Sequence, residues 1–341
     1  VLGNLGFPSE SMAAYANQVW TGAATLDPRN RHMSGGTAAL LAQALGLNAG
    51  SFCLDAACAS ALYAIKLACD QLNDGSADVM LAGAVQRADP LFLNMGFAAL
   101  GALSRSGQSR PFHANADGLI AAEGCAMFAL KRLADAQRDG DTIHGVIRGI
   151  GLSNDGRGKG LLVPDEAGQQ RAMHSAYASA GLDPAQISLL ECHATGTLVG
   201  DSAELRSSAA VFAGHASLPI GSLKSNLGHL ITVAGAAGLI KLLEALRHGV
   251  RPPNRAVDQP IAALADGPFR LLQQAESWPD DAPRIAAISA FGFGGNNAHL
   301  IVSADGTRDT GLKSGARGTG HGAREEQAAC GHRNNREPIA I

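Results

Sequence analysis

Leu54-Asp55-Ala56-Ala57-Cys58-Ala59-Ser60-Ala61-Leu62 sets one thiol among small residues, where a strand pattern turns into a helix pattern. Upstream, residues 51–57 read as a short apolar strand. Downstream, Leu62, Ile65, Leu67, Ala68 and Leu72 recur at helical spacing and predict a helix from 59 to about 73. ADVMLAGA at 77–84 completes a strand–helix–strand unit. A cysteine in the first turn of a helix lies among unpaired backbone N–H groups and at the positive end of the macrodipole, and both favour thiolate over thiol. The small neighbours let a substrate approach. This is the setting of a nucleophile. The opposing reading is that free cysteine is a packing residue, as Cys53, Cys69, Cys125 and Cys192 are read here. The rest of the chain decides between the two.

Strand and helix patterns keep alternating beyond this unit. Strands are expected at 187–192 and 218–223, with helices at 201–212 and 226–247, the second closed by Gly249 and Pro252. Two more strands, 285–290 and 298–302, are joined by Phe291-Gly292-Phe293-Gly294-Gly295-Asn296-Asn297. The expected class is a mostly buried α/β sheet system. Residues 304–336 are rich in Gly, Arg, Asp and Thr without apolar periodicity and read as a flexible linker. Glu337-Pro338-Ile339-Ala340-Ile341 reads as a strand opening a following domain.

The 341 residues carry a formal net charge of −3 and no basic cluster in the ordered region, which points away from nucleic acid and membrane surfaces. Aromatics are only 4% of the chain, while alanine and glycine dominate, a composition suited to helices packed closely on sheets. Six cysteines without a CxxC pair make no disulfide framework, so a reducing cytoplasm is the expected compartment. The longest apolar stretch, 230–240, is short, interrupted by glycine and followed by Lys241, so no membrane span is expected. Val1 in place of Met reads as a fragment.

Three more motifs lie where strands end, the crevice in which open α/β sheets bind ligands. In Glu191-Cys192-His193-Ala194-Thr195-Gly196-Thr197 an imidazole is followed by two hydroxyls able to bind ligand amides. In Gly221-Ser222-Leu223-Lys224-Ser225-Asn226-Leu227-Gly228-His229 a lysine ends an apolar strand and a histidine falls in the first turn of the next helix, where it is biased toward its neutral form. The glycine loop at 291–297 joins two strands instead of leading into a helix, which disfavours phosphate-loop readings; its backbone N–H groups could form half of an oxyanion hole. A thiolate, two neutral imidazoles, a lysine and an oxyanion-type loop are the parts needed for acyl transfer through a covalent thioester.

In the order DAACASAL, ECHATGTLVGD, GSLKSNLGH and FGFGGNNAH, these motifs resemble those of the β-ketoacyl synthases, and SRPFHANADGLIAAEG at 109–124 resembles a further segment of that family. The resemblance runs from about residue 1 to 303 and looks most like the ketosynthases of polyunsaturated-fatty-acid-type and iterative polyketide synthases. It implies a thiolase-like α/β fold of two similar halves in a layered αβαβα arrangement, here residues 1–150 with the nucleophile and 151–303 with both histidines. It implies an acyltransferase of the 3-oxoacyl-[acyl-carrier-protein] synthase type, with Cys58 as acyl acceptor and His193 and His229 promoting decarboxylation of malonyl carrier protein and stabilising the enolate. Lys224 would hold the histidines, supported by Glu204 and Asp201. Cys58 and Phe293 N–H groups would form the oxyanion hole, with Phe293 and Gly294 gating the pocket, and Thr195 and Thr197 would contact pantetheine. No metal and no resident cofactor are implied; phosphopantetheine arrives on the acyl carrier protein. The implied assembly is a homodimer or a ketosynthase/chain-length-factor pair.

Two departures from the family pattern carry expectations. Strands that open a complete member are absent ahead of Val1, so the fragment alone is expected to fold poorly or be inactive. Ala194 stands where many members have glycine, which is expected to be tolerated if the backbone there does not need positive φ. The ending REPIAI resembles the opening of another ketosynthase-like domain, such as a chain-length factor. Two alternatives stand beside the main reading. One is a thiolase or ketoacyl synthase III type enzyme, disfavoured by His229. The other is a non-catalytic protein of the chain-length-factor type, disfavoured by the intact Cys58, His193 and His229.

Overall fold

Strands apolar on both faces must be covered on both sides, and the order of elements meets that demand. The computed structural model describes residues 1–5, 18, 19, 22, 35–87, 92–158, 160, 163–255, 257–265, 267–279, 283–304 and 337–341. The first half contains β1 (Leu2–Gly3), α1 (Gly36–Ala44), β2 (Cys53–Leu54), α2 (Ser60–Asn73), β3 (Val79–Gln86), α3 (Phe92–Ala99), β4 (Gly124–Arg132) and α4 (Leu133–Asp139). The second begins with β5 (Val146–Asn154), α5 (Glu166–Ala180), β6 (Leu189–Glu191), α6 (Leu198–Val211), β7 (Leu218–Gly221), α7 (Lys224–Leu227) and α8 (Ala234–His248). There follow β8 (Val250–Arg251), α9 (Ala262–Ala265), β9 (Phe269–Leu271), β10 (Glu276–Ser277), β11 (Ile285–Gly292), β12 (Asn296–Ser303) and, past the predicted linker, β13 (Ile339–Ala340).

Eleven strands form one sheet in the order β2-β1-β3-β4-β13-β5-β12-β11-β6-β7-β9. Its two sides mirror each other. Parallel pairings, β2/β1/β3 at one end and β9/β7/β6/β11 at the other, give way to antiparallel ones that meet where β13 pairs with β5. The run β1–α1–β2–α2–β3–β4 thus matches β6–α6–β7–α8–β11–β12, and β13 matches β5. This is the expected two-halved α/β arrangement.

α2 and α8 form the central layer. Leu62, Ile65 and Leu72 of α2 and Leu239, Leu242 and Leu246 of α8 share one core with Met80, Phe128, Ile288 and Leu300 from both sides of the sheet. Gly235 permits the helices to cross closely, since a Cβ there would lie 2.8 Å from Leu62 Cγ. A second core lies outside, where Met173 and Ala176 of α5 and Leu205 of α6 cover Ile187, Leu190, Ala287 and Ile301. Over β13, the partner of β5 by symmetry, no described helix takes the place of α5. Val79 and Met127, on the outward faces of β3 and β4, are accordingly 53% and 39% exposed. No described helix is long and apolar enough to cross a membrane.

The C-terminal segment, read from sequence as a strand, takes a place in the same sheet. Ile339 sits opposite both Arg132 of β4 and Ile147 of β5, and Ala340 opposite Lys131 and Val146. Apolar Ile339 and Ala340 are 2% and 3% exposed, so burial in the seam between the halves holds them there. Of the predicted linker 304–336, only Ala304 is described, its N–H donating to the Arg284 carbonyl; the rest lies outside the described residues.

Truncating a fully buried seam residue tests this placement. Ile339→Ala is expected to destabilise the fold by about 2–5 kcal/mol, read as a lowered urea midpoint. An unchanged midpoint would show that β13 does not join the halves.

Candidate active site

The predicted strand 51–57 is only two residues long because the chain turns sharply before Cys58. Ala57 adopts φ +50°, an uncommon left-handed conformation for a residue with a Cβ. Local hydrogen bonds impose it. The Ala57 N–H donates to Asp55 Oδ1, the Ala56 N–H to Ser60 Oγ, and the Ser60 hydroxyl in turn to the Ala57 carbonyl. A short 3-10 turn, Ala57–Ala59, then lifts Cys58 to the head of α2. Gly292 is required opposite: a Cβ there would lie 2.7 Å from the Ala56 carbonyl oxygen and 3.1 Å from the Cys58 nitrogen. The glycine thereby lets the β11–β12 turn lie against the nucleophile.

His229 is not in the first turn of a long helix. The predicted helix 226–247 is broken after Leu227, where Gly228 takes φ +75°, and α8 starts only at Ala234. His229 lies in the intervening segment, tied by its N–H to the Ile120 carbonyl and by its carbonyl to the Ala122 N–H. Its Nε2 is 3.1 Å from Cys58 Sγ, and the Ile231 N–H donates to its Nδ1. A nitrogen that accepts carries no proton, so the proton of the neutral ring sits on Nε2 and points at the sulfur. His229 therefore donates to Cys58 and does not act as its base.

His193 follows β6, its ring edge-on to that of His229 with centroids 5.3 Å apart. Glu204 clamps the backbone here, one carboxylate oxygen accepting from the His193 N–H at 2.6 Å and the other from the Ala194 N–H at 2.7 Å. Asp201 does the same for the next turn, accepting from the N–H groups of Thr195, Gly196 and Phe112. Ala194 is not among the residues with positive φ, as its tolerance requires. The hydroxyls of Thr195 and Thr197 are 3.2 Å apart. Cys58, His193, Thr195, Thr197, His229 and Phe293 line one cavity of about 360 Å³. Gly294, in the same turn as Phe293, takes φ +80°. Lys224 is buried at the head of α7, its carbonyl accepting from the Ser109 hydroxyl.

Burial overturns the expectation of a thiolate. It pushes the Cys58 thiol up to about 12, although Lys224 and the backbone N–H groups of Phe293 and Cys58 itself pull the other way. A helix N-terminus stabilises an anion by about 0.3–1 kcal/mol, whereas desolvation of a fully buried group reaches several pH units. Desolvation wins, and the resting sulfur is a thiol. The histidines are neutral, as expected, but for another reason. Burial first, then the Lys224 charge, holds both well below the usual imidazole range. Burial also lowers Lys224 and raises Asp201 to about 6 and Glu204 to about 8.

Ligand atoms of Cys58, His193 and His229 lie within 4.8 Å of one another, a spacing a metal could bridge. The Nε2 proton of His229 leaves no lone pair facing the sulfur, which disfavours that use. Residues that sequence reading passed over complete the site. Ser60 shapes the turn, segment 120–122 straps His229, and Glu191 accepts from the Leu223 N–H at 2.6 Å while pairing with Lys241 at 2.6 Å. An acid inside the apolar strand Leu189-Leu190-Glu191 was the available signal for the last.

Two sequence profiles match the chain: "Beta-ketoacyl synthase, N-terminal domain" over residues 8–136 and "Beta-ketoacyl synthase, C-terminal domain" over residues 144–258. One subunit of the phenolphthiocerol/phthiocerol polyketide synthase of Mycobacterium tuberculosis is 40% identical over 280 residues, covering 79% of this chain and 15% of the relative. One subunit of the polyunsaturated fatty acid synthase of Thraustochytrium sp. is 40% identical over 262 residues, covering 73% of this chain and 10% of the relative. The solved PfaC keto synthase–chain length factor superposes with a TM-score of 0.81 at 43% identity, covering 89% of this chain and 35% of that one. The chain therefore spans a small part of the length of these relatives.

A thiol near 12 implies a specific pH dependence. Alkylation of Cys58 by iodoacetamide, followed by peptide mass spectrometry, is expected to quicken about tenfold per pH unit from about pH 7 to about pH 10 without levelling. A plateau near pH 8.5, the ordinary thiol value, would contradict a desolvated sulfur.

Proposed function

The chain belongs to the β-ketoacyl synthase family, and we propose that it catalyses decarboxylative condensation of an acyl group carried on Cys58 with a malonyl thioester. The carrying observation is the Nε2–H of His229 aimed at Cys58 Sγ, with its proton fixed by the Ile231 N–H. A donor imidazole suits the oxygen of an enolate; a base would need the opposite tautomer.

In this reading Cys58 Sγ attacks the thioester carbonyl of an acyl chain. The sulfur–carbon bond forms, the Cys58 and Phe293 N–H groups hold the oxyanion, and the departing pantetheine thiolate takes up the proton lost from Cys58. Malonyl thioester then loses carbon dioxide while His193 and His229 hydrogen-bond the developing enolate oxygen. The enolate carbon attacks the acyl-Cys58 carbonyl, forming the new carbon–carbon bond and releasing the Cys58 thiolate, which is reprotonated. Lys224 keeps both imidazoles neutral, Glu204 and Asp201 fix the loop that bears His193, Thr195 and Thr197 hold the pantetheine amides, and Phe293 with Gly294 gates the pocket. The chain needs no resident cofactor or metal in this scheme.

The relatives named above support a place in a polyketide or polyunsaturated-fatty-acid synthase, with an acyl carrier protein domain as partner. Similarity to a keto synthase–chain length factor supports pairing with a chain-length factor, or with a second copy. Free thiols suit a reducing cytoplasm.

Acyl-thioester labelling tests the roles. Cys58→Ala is expected to abolish the label, and His229→Ala to keep it while slowing malonyl decarboxylation by at least about 100-fold. Unchanged labelling of Cys58→Ala would remove Cys58 from the mechanism.

A further inference from the structure

We propose that the buried ion pair of Glu191 and Lys241 is a positioning device that fixes Lys224 and its charge beside the Cys58–His193–His229 cluster. The proposal deepens the condensing-site reading, on which it rests, by assigning residues outside the reacting groups.

Glu191 ends β6 and is 2% exposed. Each carboxylate oxygen has one partner. Oε1 accepts from the N–H of Leu223, the residue that caps α7 immediately before Lys224, and Oε2 pairs with Lys241 Nζ from α8. Both contacts are 2.6 Å, and the two side chains are 3% and 14% exposed. The surrounding backbone is cut to admit them. A Cβ on Gly238 would lie 3.1 Å from Glu191 Cγ, and one on Gly221 would lie 3.1 Å from Lys241 Nζ. One carboxylate thus ties together the strand end that leads to His193, the start of the helix that bears Lys224, and the central helix α8.

The pair also has an electrical consequence. Lys224 faces Glu191 from β6, Glu204 from α6, Cys58 from the nucleophile turn, Cys192 and His193 from the loop after β6, and His229 from its own segment. Burial disfavours its charge, while the Glu191 and Glu204 carboxylates favour it. Lys224 is in turn the charge that draws Cys58 toward thiolate. A buried pair that loses one partner leaves the other charge uncompensated, so the two single substitutions act on Lys224 with opposite sign. Glu191→Gln keeps an acceptor for Leu223 but removes the carboxylate that favours the Lys224 charge, so Lys224 sheds its proton more readily. Lys241→Met leaves Glu191 negative, and Lys224 keeps its proton longer.

The readout is the iodoacetamide alkylation rate of Cys58 as a function of pH in the intact chain, with exposed Cys125 as internal control. It uses no substrate, so it stands or falls separately from acyl-thioester labelling. Glu191→Gln is expected to move the Cys58 curve to higher pH by about one unit, about tenfold slower at a fixed pH. Lys241→Met is expected to move it to lower pH, and Cys125 is expected not to move in either variant. Circular dichroism identifies a variant that does not fold, and the sign in the other variant then decides. Shifts in the same direction, as loosened packing would give, or no shift of Cys58 in either variant, would overturn the proposal.

Discussion

The contact on which the site depends joins residues 171 positions apart, His229 Nε2 and Cys58 Sγ, at 3.1 Å. Its two partners are buried, and burial is the largest influence on the protonation of the groups around it. The sulfur keeps its proton, the imidazoles stay neutral, and burial works against the Lys224 charge that the Glu191 and Glu204 carboxylates favour. Neutral donors fixed in place stabilise a developing negative charge more than water could, since they need not reorient when the charge appears. The strained left-handed backbones of Ala57 and Ile231 flank this contact, one presenting the sulfur and the other fixing the imidazole tautomer.

The mirrored sheet explains how such distant residues meet. Cys58 follows β2, and the Lys224–His229 segment follows β7, the strand that matches β2 in the other half. The same corner is thus used twice with different chemistry, a nucleophile in one half and proton-bearing groups in the other. α2 and α8 run back from these corners and cross in the central layer, so their packing fixes the distance between the two sets of groups. The β13–β5 seam closes the arrangement at the opposite side of the core.

Much of this was legible in the residues. Sequence pattern located α2, α6 and the β11–β12 hairpin to within a few positions, α2 through an apolar face at helical spacing and the two strands through apolar runs buried on both faces. The four motifs identified the cavity-lining groups, because reactive side chains at strand ends have few structural uses. What sequence did not disclose was mostly long-range. Gly228 breaks a helix whose apolar pattern runs through it, a tertiary override produced by the strap at 120–122. Cys58 is a thiol against expectation because local helix geometry is visible in sequence and desolvation is not. Strand β13 has an apolar core of three residues, too short to disclose which sheet it joins.

The tautomer of His229 is the most direct test. Nitrogen-15 NMR of the protein labelled at histidine, with His229→Gln for assignment, reads which ring nitrogen bears the proton. The expected result is a neutral ring at about pH 6, below the ordinary histidine value of about 6.5, with the proton on Nε2. A charged ring at that pH, or a neutral ring with the proton on Nδ1, would contradict a histidine that donates to Cys58.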